Sequence, residues 1–219
     1  MDPEFAADVA ADLGFESRYA LTAALVSAAA TVNKAVERGL ATARGVLGRN
    51  ASVSGRGRRR PLDVDVVAEA GSIFLSRNPN VKDPWLLTRV AAAAARTGYI
   101  IGETTWRQLQ DLPELPPRWP RAAVDDFFAI LSSPRCTPRV IQDLDHYGLW
   151  ERLVPEWGHV RGLLPRERSH VNAVDYHLIA TVTRCAQMRT SVARPDLLLL
   201  AALYHDIGCL LYTSDAADE

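Results

Sequence analysis

The side chains best placed to do chemistry together are His177, His205 and Asp206. The last two close an apolar run, LLLLAALYHDIG from Leu197 to Gly208, which is hydrophobic nearly all round, the pattern of a helix buried among other helices. An imidazole and a carboxylate at the end of such a helix are expected in a dry environment. There they must either satisfy each other or share a metal ion. A preceding candidate helix runs from about Val174 to Met188 with His177 in its first turn, and Pro195 opens the next one. Antiparallel packing across a short turn sets the start of the first helix beside the end of the second. That juxtaposition favours a metal over a self-satisfied core pair, because imidazole and carboxylate are common ligands of divalent ions.

The elements that must position this group read as all-α (mainly helical) with one short β-hairpin. Glu4–Leu13 is a helix stopped by Gly14, and Ser17–Arg38 another, stopped by Gly39. In the second, Leu21, Leu25, Ala28, Val32, Ala35 and Val36 recur at helical spacing, a face expected to pack on neighbours. From about 44 to 61 a Gly/Ser/Arg mixture without periodicity predicts the least ordered internal stretch. Its arginines, Arg56 and Arg58 to Arg60, lack interleaved aromatics and read as a solvated linker rather than a nucleic-acid grip. Asp63–Ser76 has β-branched and aromatic residues on both sides of a Glu-Ala-Gly turn, the signature of a small hairpin. Its Asp63, Asp65 and Glu69 read as solvated charges. Further helices follow at Trp85–Thr97 (closed by Gly98), Glu103–Leu112, Arg121–Ser132 and Pro138–Tyr147, with Leu112–Pro120 as an extended connector anchored by Trp119.

The combination HVNAVDYH (His170 to His177) and RPDLLLLAALYHDIG (Arg194 to Gly208) resembles the start of the HD metal-dependent phosphohydrolase domain. The version it resembles is the one carried by the PII-protein uridylyltransferase/uridylyl-removing enzymes. The run LDHYGLWERLVPEWGHVRGLLPRERSHVNAVDYH (Leu144 to His177) is similar to the junction between the helical linking domain and the HD domain of those enzymes, most closely in actinobacterial members. The resemblance implies residues 1–160 as the linking domain and 161–208 as the N-terminal part of the HD domain. It also implies His177, His205 and Asp206 as metal ligands, with a further aspartate supplied by a helix that this sequence lacks. His205 and Asp206 then also serve catalysis, and His170 and Asp175 orient ligands or meet substrate; helix capping by Asp175 is an equal alternative. The metal implied is magnesium or manganese, with zinc the other candidate. The Gly-Ser motif with paired aspartates that carries nucleotidyl transfer and the ligand-sensing ACT domains are both missing. Residues 209–219, CLLYTSDAADE, are similar to a translated sequencing adapter and are expected to be foreign to the fold.

The implied reaction is hydrolysis of a uridylyl or adenylyl group from a tyrosine of the PII signalling protein, with UTP/UMP or ATP/AMP as the nucleotide of the full enzyme. A non-catalytic helical adaptor with an HD remnant and an HD phosphohydrolase acting on free nucleotides are the alternatives. The fragment alone is expected to be inactive. Composition is compatible: a net charge of −1 points to no polyanionic partner, and no nucleic acid is expected. Apolar runs are broken by charge before membrane-spanning length, so no membrane is expected. Cys136, Cys185 and Cys209 are too scattered for a disulfide framework, which together with the absence of a signal peptide predicts a cytoplasmic setting. His146 and His159 lie outside the motif and are expected to be structural or solvent-facing.

Overall fold

Alanine favours helix and carries the smallest side chain beyond glycine, and the run Ala91–Ala95 is where the larger part of this molecule comes together. In a computed structural model the chain is described at residues 3–18, 59–163 and 173–208 and at positions scattered between 20 and 43. It divides into residues 1–55 with 161–174, and residues 56–160 with 175–219.

In the first unit, α1 (Pro3–Asp12) ends at Gly14, whose φ of 76° needs no Cβ. Ser17 Oγ then accepts the Ala20 N–H at 3.2 Å, as a capping serine does. Every described position between 18 and 43 is helical, Gly39 included, so the helix continues past the glycine expected to stop it. Of its expected packing face Leu21 is buried, whereas Leu25, Val32 and Val36 are more than half exposed. Periodicity groups these residues on one face but does not supply a cover for it.

The second unit begins with a four-stranded sheet in the order β1 (Arg60–Asp63), β2 (Val66–Glu69), β3 (Ser72–Leu75), β4 (Ile100–Ile101). The expected hairpin is its middle, β2 and β3, antiparallel with Val66 opposite Leu75 and Glu69 opposite Ser72. Ala70 and Gly71 both take positive φ in the turn, the two-residue geometry whose twist matches a hairpin. The hairpin does not stand alone, as the sequence suggested. β1 takes residues assigned above to the loop, and β4 joins β3 in parallel after a crossover. A lone hairpin is marginal in water, and the two extra strands and a covering helix remedy that. Asp65, expected to be solvated, is structural. At φ 62° it accepts Ser76 Oγ at 2.9 Å and Asn80 N–H at 3.0 Å, and these donors hold its carboxyl below the ordinary carboxylate value. Glu69 pairs with Arg59 at 3.0 Å.

The crossover helix is α2 (Leu86–Thr97), buried from Leu86 to Thr88 and from Val90 to Ala95 and closed by Gly98 in the left-handed conformation. One side meets all four strands, where Val66, Ala68, Ile73 and Leu75 are buried, and another packs along α4 (Arg121–Leu131). Between them come α3 (Glu103–Gln110) and the connector, whose Trp119 sits 5.2 Å from Trp85 and 5.5 Å from Phe127, ring to ring. Arg152 donates to the Leu112 carbonyl at 3.0 Å and also to that of Pro113. α5 (Thr137–His146), α6 (Trp150–Leu153) and α7 (Trp157–Val160) complete the core with Ile141, Leu144, Leu149, Trp150 and Trp157. His146 and His159 are exposed.

α8 (Val174–Gln187) and α9 (Pro195–Tyr204) form the last hairpin, joined through a short 3-10 turn (Arg189–Ser191). Leu178, Val182 and Ala186 from α8 and Leu199, Ala202 and Leu203 from α9 are buried. At the turn, Arg189 donates to Ser132 O at 2.6 Å and Ala186 O at 3.4 Å. One cation thereby serves the carbonyl ends of α4 and α8, where the helix dipoles are negative. α9 was expected to be covered all round, yet Leu197, Ala201 and Tyr204 leave one stripe exposed. Among the described residues no helix is long and apolar enough to cross a membrane, and Cys136 and Cys185 are free and half-buried. Residues 44–58 of the expected loop, His170, Cys209 and the expected foreign tail 209–219 lie outside the described residues.

Candidate metal centre

The hairpin joins what the sequence separates by 28 positions. His177 stands in the first turn of α8, while α9 ends at Tyr204 and His205 follows as its C-cap, with its N–H bonded to Ala201 O at 3.0 Å. His177 Nε2 lies 3.2 Å from His205 Nε2. Asp206 Oδ2 lies 3.5 Å from the first and 3.3 Å from the second. Asp175 is not among these donors and is half-buried. Its Oδ1 accepts the Tyr176 N–H at 2.7 Å, a local contact at the start of its own helix.

The imidazole of His205 has a further contact that its sequence position does not announce. Its Nδ1 is 3.0 Å from the carbonyl oxygen of Ala202. A carbonyl only accepts, so this hydrogen bond puts the proton on Nδ1 and leaves Nε2 with its lone pair toward His177 and Asp206. A carbonyl on the second ring nitrogen is a common way of fixing the tautomer and orientation of a ligating histidine. Sequence alone gives no signal for it, since every residue has a carbonyl.

The donor set fits a divalent ion. Ligands about 2.1 Å from one ion stand about 3.0–3.4 Å apart, for angles between octahedral and tetrahedral, and the observed separations of 3.2–3.5 Å fall on that scale. Two neutral imidazoles and one carboxylate leave a bound dication with net positive charge, which suits an anionic substrate. The site is not dry, as expected from the apolar helix. His177, His205 and Asp206 have side chains 39%, 38% and 38% exposed, because the ligands stand on the turn after α9 and at the mouth of α8. Solvent therefore has access.

Two grooves flank this hairpin. The larger, about 610 Å³, lies at the opposite end, between α4, Arg189 and Pro195 at the start of α9. A smaller one, about 250 Å³, lies between α5 and α8 and begins at Tyr176, the neighbour of His177.

No protein-family model and no solved structure matches the chain. Curated relatives do. A bifunctional uridylyltransferase/uridylyl-removing enzyme of Corynebacterium glutamicum is 52% identical over 209 residues, 95% of this chain and 30% of the relative. The enzyme of the same name from Mycobacterium tuberculosis is 45% identical over 94% of the chain and 26% of its own length. That of Streptomyces coelicolor is 41% identical over 68% of the chain and 18% of its own. Spanning less than a third of the length of these relatives, the chain belongs to the family of bifunctional uridylyltransferase/uridylyl-removing enzymes.

Proposed function

We propose that His177, His205 and Asp206 hold one divalent cation and form part of the uridylyl-removing centre of such an enzyme. The observation that carries this reading is the mutual approach of three ligand atoms from two helix ends within 3.2–3.5 Å. Imidazole donors favour manganese or zinc over magnesium, which prefers an all-oxygen shell. When bound, such an ion lowers the pKa of water and polarises a phosphoryl oxygen. The protein's part is to orient: Ala202 O aims His205, and the buried Leu178 and Leu203 lock the two helices that carry the ligands.

The substrate of this reading is a uridylyl or adenylyl group on a tyrosine of PII. Water gives its hydroxyl to phosphorus and its proton to the tyrosyl oxygen as the bond between them breaks, leaving a nucleoside monophosphate and unmodified PII. Among the described residues these three are the donors that come together, which leaves the remaining positions of the ion to water and substrate.

The test joins the chain to the remaining length of its relatives and measures UMP or AMP released from nucleotidylated PII. Hydrolysis is expected in the long protein and none in the long protein carrying His177→Ala. Full activity without His177 contradicts the assignment.

A further inference from the structure

Beside the triad, the groove between α5 and α8 has the makings of a nucleoside subsite. Pro138 and Gln142 line it from α5, and Tyr176, Ile179, Thr183 and Arg184 from α8. Its volume of about 250 Å³ gives room for a planar ring rather than a peptide segment. Tyr176 precedes the ligand His177 and is 53% exposed, so its ring offers a free aromatic face. Large aromatics normally bury most of their area, and an exposed one at the mouth of a groove suits stacking on a flat partner. Arg184 is seven residues from His177 and therefore on the same stripe of α8, about 10 Å further along the axis. Among the described residues no hydrogen bond or ion pair engages its guanidinium.

We infer that this groove receives the base and ribose of the nucleotidyl group while its phosphate lies at the triad, an inference that rests on the metal-centre reading above. The span from His177 to Arg184 is of the order of the reach of a nucleoside from its 5′ phosphate to the far edge of its base. Tyr176 stacks on the base, a contact indifferent to base identity. Arg184, which only donates, meets the acceptors at the base edge: the carbonyls of uracil or the ring nitrogens of adenine. Ile179 supplies an apolar wall. Neither Tyr176 nor Arg184 touches the ligand atoms, so each can be replaced without dismantling the triad.

The experiment titrates the chain, with and without Mn²⁺, with UMP, AMP and ribose 5-phosphate, which keeps the phosphate and sugar and lacks the base. At least one nucleotide is expected to bind more tightly than ribose 5-phosphate. Tyr176→Ala and Arg184→Ala should each weaken that nucleotide about tenfold, the scale of one base–aromatic stack. Ribose 5-phosphate and Mn²⁺ affinities should stay unchanged, and Tyr176→Phe should restore nucleotide binding. The UMP and AMP arms identify which base the groove prefers. Nucleotides binding no better than ribose 5-phosphate, or indifferent to both substitutions, overturn the groove assignment. Loss of Mn²⁺ binding by the unaltered chain instead overturns the reading of the triad.

Discussion

Asp126 shows how single residues carry both cost and order in this molecule. Its side chain is 8% exposed and lies 2.9 Å from the guanidinium of Arg96, which is itself 47% exposed. Burial pushes the Asp126 carboxyl up, with Arg96 acting against it. A folded-state value above the ordinary 3.8 means that this group favours folding fully only below pH 3.8. The contribution is lost as pH rises through the folded-state value. Asp126→Asn keeps an acceptor for Arg96 and removes the charge, so melting curves should show neutral pH gaining relative to acid pH. Arg96→Ala leaves the buried carboxylate unpaired and should cost about 1 kcal/mol at pH 7, less than a fully buried pair because solvent reaches Arg96. The same contrast between side chain and surroundings applies at the candidate site. His177, His205 and Asp206 were legible as chemistry from their types and spacing, whereas their exposure was not, because an apolar run does not reveal where its helix ends. The Ala202 carbonyl that aims His205 was not legible at all.

Among the elements, helices were the readable part, since apolar spacing and the stops at Gly14, Gly98 and Gly148, all at positive φ, are local signals. The hairpin was readable through its turn. β4 was not: two isoleucines carry no period, and their partner Ser72–Ile73 lies across the whole of α2. Nor was β1, whose Arg60 and Pro61 look like the end of a basic loop. The element that tests the packing account is α2, where Ala92 and Ala93 are buried in the helix that packs along α4. Ala92→Leu adds a branched side chain where there is no exposure, and should lower stability by about 1–3 kcal/mol. Thermal melting checks it. An unchanged melting temperature would mean that the alanines do not set the distance between these helices.

For the whole molecule, the decisive fact is that α8 and α9 are held by the same unit that contains the sheet and α2 to α7. Arg189 ties the turn of that hairpin to the end of α4, and buried leucines line both of its helices. The ends that carry His177, His205 and Asp206 are thus held by packing along the hairpin and by the contact at its far turn. Similarity to relatives more than three times as long assigns the family, and the geometry of the three side chains is what supports the proposed metal. The most direct test loads the chain with Mn²⁺ and records its electron paramagnetic resonance, counting bound ions and looking for coupling to imidazole nitrogen. One ion coupled to two histidine nitrogens is expected, with one coupling and most of the affinity lost in His177→Ala and likewise in His205→Ala. Binding that keeps its strength and its nitrogen couplings in both variants would contradict a shared ion at the triad.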